Sequence, residues 1–284
     1  MKKTIYFAIS MLLLAACGKE PMQELNVMRF QFGYPGTRAT VSGFEAGDAV
    51  SLYAVQWVGG EQHPLQIGGN FLNNEKITFN GSRWNSDRTL YWADTPCDFY
   101  ALYPYQTGIT SVERAPFSLA INQDGAGYEA SDLLFAYSEK RARADGPVNL
   151  AFKHMMSQVK VNLVKGTNFE GEIPNDIVAH IYNTITSCSV NLTTGSVEKD
   201  AFGMRETITM HKLDNEHFEA VVVPQNIEKR TPLIELTMGG IAYLLETSLS
   251  FRPGYAHTIT VTLNTSPDQE QIDISIDPGI DNWN

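Results

Sequence analysis

The sequence predicts an all-β protein, and three observations carry that expectation. No helical period persists over a long window, whereas short runs with apolar residues at every second place recur along the chain. Turn pairs rich in glycine and asparagine separate those runs. Of the 284 residues, 43% are hydrophobic and 19% charged, which suits one large or two medium packed cores and not long disorder. The pattern reads as a β-sandwich with little helix.

The chain opens with Lys2 and Lys3, an apolar run from Ile5 to Leu14, and then Ala15, Ala16 and Cys17. A positive start, a short apolar stretch and small residues make a secretory signal rather than a membrane-spanning helix. Beyond it no apolar run reaches the roughly 20 residues that cross a bilayer. Leu14-Ala15-Ala16-Cys17 resembles the bacterial lipobox. That resemblance implies cleavage before Cys17, a diacylglycerol on its sulfur and an acylated amino group. Each buried methylene adds roughly 0.8 kcal/mol of membrane affinity, so several chains anchor stably. An ordinary signal peptide that happens to contain a cysteine is the alternative.

The first strand follows in "LNVMRFQFGYPGTRAT", residues 25 to 40. Met28, Phe30 and Phe32 alternate with Arg29 and Gln31, and the run breaks at Gly33, Pro35 and Gly36. "ITFNGSRW" sets Asn80-Gly81 between two strand-like halves, the favoured pair for a two-residue hairpin. Tyr91, Trp92, Phe99, Tyr100, Tyr103 and Tyr105 cluster in "YWADTPCDFYALYPY" and are expected in a core rather than stacked on sugars. A short helical or coiled loop is expected around 129–134. "SEKRARADGP", residues 138–147, is charged and aperiodic and reads as a linker. "QVKVNLV" turns Val159, Val161 and Leu163 inward, and "HTITVTLN" does the same with Ile259, Val261 and Leu263. Turns are expected near Gly195 and at Gly239-Gly240. At the end, Ile272, Ile274 and Ile276 alternate with Asp273 and Ser275 on one extended strand.

The chemistry is sparse. The net charge is −11, from 21 basic and 32 acidic residues, and the basic ones are scattered, so nucleic acid is not an expected partner. Gly-x-Ser-x-Gly, His-Glu-x-x-His, Cys-x-x-Cys and phosphate-loop motifs are absent, so no enzyme is expected. His211 and His217 stand six apart, a poor spacing for a metal, and His154 among apolar residues reads as a packed histidine. "DISIDPGID" departs from the calcium-loop pattern because its glycine comes seventh and no terminal Glu follows. No metal or cofactor is expected. Cys97 and Cys188 read as two free, buried thiols.

The chain resembles the fimbrillin-like proteins, the subunits of type V pili in Bacteroidia. The residues that carry the likeness are "TRAT" at 37–40, "FEAGDAVSLYAV" at 44–55, "LYW" at 90–92 and "DFYALYPY" at 98–105. They continue with "SDLLFA" at 131–136, "VNLAFKHMMSQVKVNL" at 148–163, "AVVVPQ" at 220–225 and "FRPGYAHTITVTLN" at 251–264. The resemblance implies two tandem transthyretin-like β-sandwich domains, made as an outer-membrane lipoprotein held through lipid on Cys17. On that reading residues 1–16 are the signal peptide and 17–38 a lipidated propeptide with the first strand. Residues 39–144 and 145–284 are then the two domains. In polymerising members an arginine-specific surface protease cuts after an arginine that Arg38 matches here, leaving Ala39 as the new N-terminus. Removing the strand with Met28, Phe30 and Phe32 opens a groove, and a neighbour's C-terminal strand, here with Ile272, Ile274 and Ile276, fills it. Partners are then other fimbrillin subunits in a head-to-tail polymer, as stalk, tip or accessory member. The alternative is a surface lipoprotein that keeps its first strand and binds glycan or host protein, with exposed aromatics near Trp92 and Tyr103.

Overall fold

The computed structural model describes residues 26–35, 43–228, 231–265 and 274–283. The signal segment, Cys17, Arg38, Ala39 and Ile272 lie outside them. In chain order the first strands are β1 (Phe30–Gly33), β2 (Ala49–Val58), β3 (Glu61–Gln62), β4 (Leu72–Phe79), β5 (Trp84–Ser86), β6 (Cys97–Tyr103) and β7 (Ala115–Ser118). The one-turn helix α1 (Ala126–Ala130), β8 (Leu134–Arg141), a 3-10 turn (Arg143–Asp145), β9 (Val148–Ala151) and β10 (Lys153–His154) follow. The second half runs through β11 (Ser157–Asn168), β12 (Val178–Ile185), β13 (Ser187–Val190), β14 (Val197–Lys199), β15 (Arg205–Thr209) and β16 (His211–Lys212). It ends with β17 (His217–Val222), β18 (Asn226–Ile227), β19 (Pro232–Met238), β20 (Ile241–Glu246), β21 (Leu249–Ser250), β22 (Tyr255–Thr265) and β23 (Ile274–Asn282).

The all-β expectation holds. The first sheet runs β10-β8-β6-β2-β4-β5-β1-β9, with β3 paired to β2. Only Phe152 separates β9 from β10, so the two ends of that order lie side by side and the sheet rolls around its core. Two further sheets, β16-β17-β11-β22-β23 and β15-β12-β19-β20, enclose a second core. Val159, Val161 and Leu163 of β11 and Ile259, Val261 and Leu263 of β22 are buried there, as their alternation predicts. Ala179, Ile181, Leu236 and Met238 supply apolar residues from the facing sheet. A small sheet, β14-β13-β7, carries β7 away from the first sheet.

Local differences from the sequence reading have physical causes. The Gly239-Gly240 turn is the expected two-residue hairpin, with φ of 54° and 78° and Met238 opposite Ile241. At Asn80-Gly81 the loop is longer: Phe79 faces Trp84, and the Asn80 side chain accepts the backbone N–H groups of Ser82 and Arg83. An asparagine that satisfies its own turn in this way favours four residues over two. The helical turn falls at Ala126–Ala130, earlier than expected, because Leu133 and Leu134 are wholly buried and Leu134 already belongs to β8. The segment 138–147 is the end of β8 and a 3-10 turn, closed by the Ala142 N–H donating to Asp145 Oδ2 at 2.8 Å.

Candidate functional site: the first strand in its slot

β1 lies inside the first sheet, not on its edge. It runs parallel to β9, with Phe30, Gln31, Phe32 and Gly33 opposite Val148, Asn149, Leu150 and Ala151. On its other side only Phe30 pairs with β5, opposite Trp84, and Val27 bridges Tyr91. Backbone bonds pin both flanks: Val148 N–H to Arg29 O at 2.8 Å, Phe152 N–H to Gly33 O at 3.0 Å, and Met28 N–H to Leu90 O at 2.8 Å. An open groove of about 860 Å³ runs between Val27–Phe32 and the segment from Ser82 to Leu90.

The alternation places the side chains much as the sequence predicts. Met28 and Phe32 are buried in the first core, while Arg29 and Gln31 face outward. Phe30 is half-buried and packs against that core without entering it. Phe32 lies 4.8 Å from the Trp84 ring and 5.8 Å from Phe152. These walls were not assigned from sequence; their signal was the period-two run of Val148, Leu150 and Phe152, all buried. Just past β1, the Tyr34 hydroxyl donates to Asp132 Oδ2 at 2.8 Å. Burial, and then the Asp132 charge, push its ionisation well above the usual tyrosine range.

The other end of the proposed exchange is β23. It pairs antiparallel to β22, with Ile274 opposite Leu263 and Ile276 opposite Val261, at the edge of its sheet. In the monomer the C-terminal strand therefore lies on its own chain. Trp283, just beyond it, is buried.

The remaining sequence candidates resolve plainly. Trp92, Phe99 and Tyr100 are buried, Tyr103 is half-buried with its hydroxyl on Asp48, and Tyr91 is exposed. The exposed aromatic platform that sugar stacking needs is therefore not formed around Trp92. His211 pairs with Asp124 and His217 with Asp214, so the two histidines share no ligand geometry. Among the described residues no cluster of three or more histidine, cysteine or acidic side chains could hold a metal. Cys97 and Cys188 are free and buried, as expected. Arg143 sits in the closed 3-10 turn rather than on extended chain. No helix among the described residues is long and apolar enough to cross a membrane.

A family model described as fimbrillin-like matches residues 37–283, starting after β1. The chain belongs to the fimbrillin-like family. That membership places it among structural proteins and not enzymes. A candidate fimbrium tip subunit of Bacteroides ovatus is 30% identical over 151 residues, which is 45% of this chain and 26% of that protein. The match thus spans about a quarter of the curated relative's length. A candidate cell-adhesion protein from Bacteroides uniformis superposes with a TM-score of 0.70 at 19% identity, over 93% of this chain and all of that one. A second, from Bacteroides ovatus, gives 0.69 at 16%, over 90% of this chain and 97% of that one. At these identities the likeness is one of fold.

Proposed function

We propose that this fimbrillin-like chain is a structural subunit of a cell-surface pilus, exported as a lipoprotein through Cys17 and assembled by proteolysis-triggered strand exchange. The observation that carries the proposal is the position of β1, an internal strand flanked by β5 and β9. An arginine-specific surface protease cuts after Arg38, and residues 17–38 leave with the lipid. Neighbouring strands are spaced about 4.8 Å apart, so the loss of one leaves a slot roughly 9–10 Å wide. Its walls are unpaired backbone on both sides and the apolar faces of Trp84, Leu150 and Phe152.

A second subunit's C-terminal strand fills that slot. Backbone bonds on two sides give affinity, and Ile272, Ile274 and Ile276 give specificity. Burying each isoleucine contributes roughly 1.5–3 kcal/mol, or roughly 5–9 kcal/mol for three before ordering costs. A head-to-tail contact that does not close makes a filament. The proposal includes the family's two tandem transthyretin-like units. Two core clusters support them, although β2 and β6 face both, and β7, β9 and β10 pair across a division at residue 144.

The test is the N-terminus and intact mass of the protein taken from the cell surface. Ala39 as the N-terminus is the expected result. An acylated Cys17 as the sole species overturns the exchange reading and leaves an anchored lipoprotein.

A further inference from the structure

The two terminal strands, far apart in sequence and in different sheets, end at one histidine. Asp132 and His154 are both buried, and the Asp132 Oδ1 lies 2.7 Å from the His154 Nδ1. The other carboxylate oxygen accepts the Tyr34 hydroxyl, one residue past β1. Tyr34 also sets its ring edge-on to His154, with centroids 5.8 Å apart at 83°. The Trp283 indole stacks flat on the His154 ring, with centroids 3.8 Å apart at 8°. Trp283 immediately follows β23, and its backbone N–H donates to Gly254 O at 2.9 Å. We propose that the Asp132–His154 pair is a latch that couples the seating of the first strand to that of the last.

The coupling runs through the Asp132 carboxylate. With Tyr34 in place, each Asp132 oxygen has a partner and the imidazole plane is fixed. Without the phenol, a buried oxygen loses its donor, and a group so stranded turns or draws in water. A cavity of about 150 Å³ already touches Tyr34 and Asp132 and is lined also by Glu45, Asp48 and Glu129. Water enters there, the histidine loses its fixed plane, and the flat Trp283 stack loosens. β23 is the strand most exposed to this, because it has one neighbour, β22, and no strand beyond it among the described residues. A cut after Arg38 carries Tyr34 away with β1, so the event that opens the slot also loosens the strand destined for another slot. That last consequence rests on the strand-exchange reading; the coupling does not.

The experiment uses the uncut full chain and amide hydrogen exchange. Tyr34→Phe removes one oxygen and keeps the ring. The expected result is exchange about fivefold or more faster across 274–282, with 157–168 unchanged. Coupling is reciprocal, so Trp283→Ala is expected to speed exchange across 30–33. Unchanged exchange in the distant strand for both variants overturns the latch. So does a uniform rise that includes 157–168, which reports general destabilisation. Because neither variant is cut, failure here is separate from failure of the N-terminus test.

Discussion

Asp98 has no exposed surface, yet it carries a carboxylate. It accepts the Trp57 indole N–H at 2.6 Å, the Tyr137 hydroxyl at 2.8 Å and the Lys140 N–H at 2.7 Å. Asp98→Ala leaves these donors without their acceptor and is expected to cost about 2–4 kcal/mol, read as a lower urea midpoint. The two cysteines show the reverse case, an ionisable group kept neutral. Burial pushes the Cys97 thiol up to about 12, with the Asp98 charge adding to it, and burial alone does the same for Cys188. A pKa raised on folding means the neutral form stabilises the fold below about pH 9, and that contribution is lost as the pH climbs toward 12. At pH 8 about one thiol in 10⁴ is then ionised, so iodoacetamide is expected to label neither cysteine until the chain unfolds. Rapid labelling of the native protein would contradict that burial. Free buried cysteines were legible in the sequence; the three donors around Asp98 were not, because they come from two other strands, β2 and β8, about 40 positions away on either side.

At the scale of elements, strands whose two faces differ were readable and strands with two buried faces were not. Alternation located β11, β22 and the inward Met28 and Phe32, since one face of each meets water or a partly open surface. It gave no sign that β1 would insert between β5 and β9, because pairing partners leave no mark on a strand's own period. The slot makes a prediction about state. Phe32→Ala removes a ring that packs on Trp84 and Phe152, and is expected to destabilise the uncut chain by about 3–5 kcal/mol. On the strand-exchange proposal, the same substitution is expected to leave a subunit cut after Arg38 unchanged, since that cut would remove the strand. An equal loss in both forms, by thermal unfolding, would mean the strand stays. The donor end is tested by Ile274→Asp, expected to abolish polymers while the monomer keeps its folded circular dichroism. Undiminished polymers from that variant would count against donation by this strand.

At the scale of the whole molecule, the two cores share strands. In β2, Val50, Leu52 and Ala54 face the first core, while Tyr53 and Val55 face the second. In β6, Cys97, Phe99 and Ala101 face the first, and Tyr100 and Leu102 the second. Leu102→Ala is therefore expected to cost about 2–5 kcal/mol and to lower the unfolding midpoints of both cores together. Fluorescence of Trp84 and Trp92 reports the first, and amide exchange in β11 the second. A shift confined to the second core would show that the two unfold apart. The sequence by itself determined the all-β class, the main inward faces, the tight Gly-Gly turn, the buried thiols and the likeness to fimbrillins. Each of these is written in local period, in residue type or, for the likeness, in the order and spacing of short motifs along the chain. The tertiary structure alone decided that β1 is an internal strand, that β2 and β6 serve two cores, and that Tyr34 and Trp283 meet at His154. Those facts join residues up to hundreds of positions apart, and a contact between distant segments depends on how sheets roll and pack, which no single segment's pattern encodes.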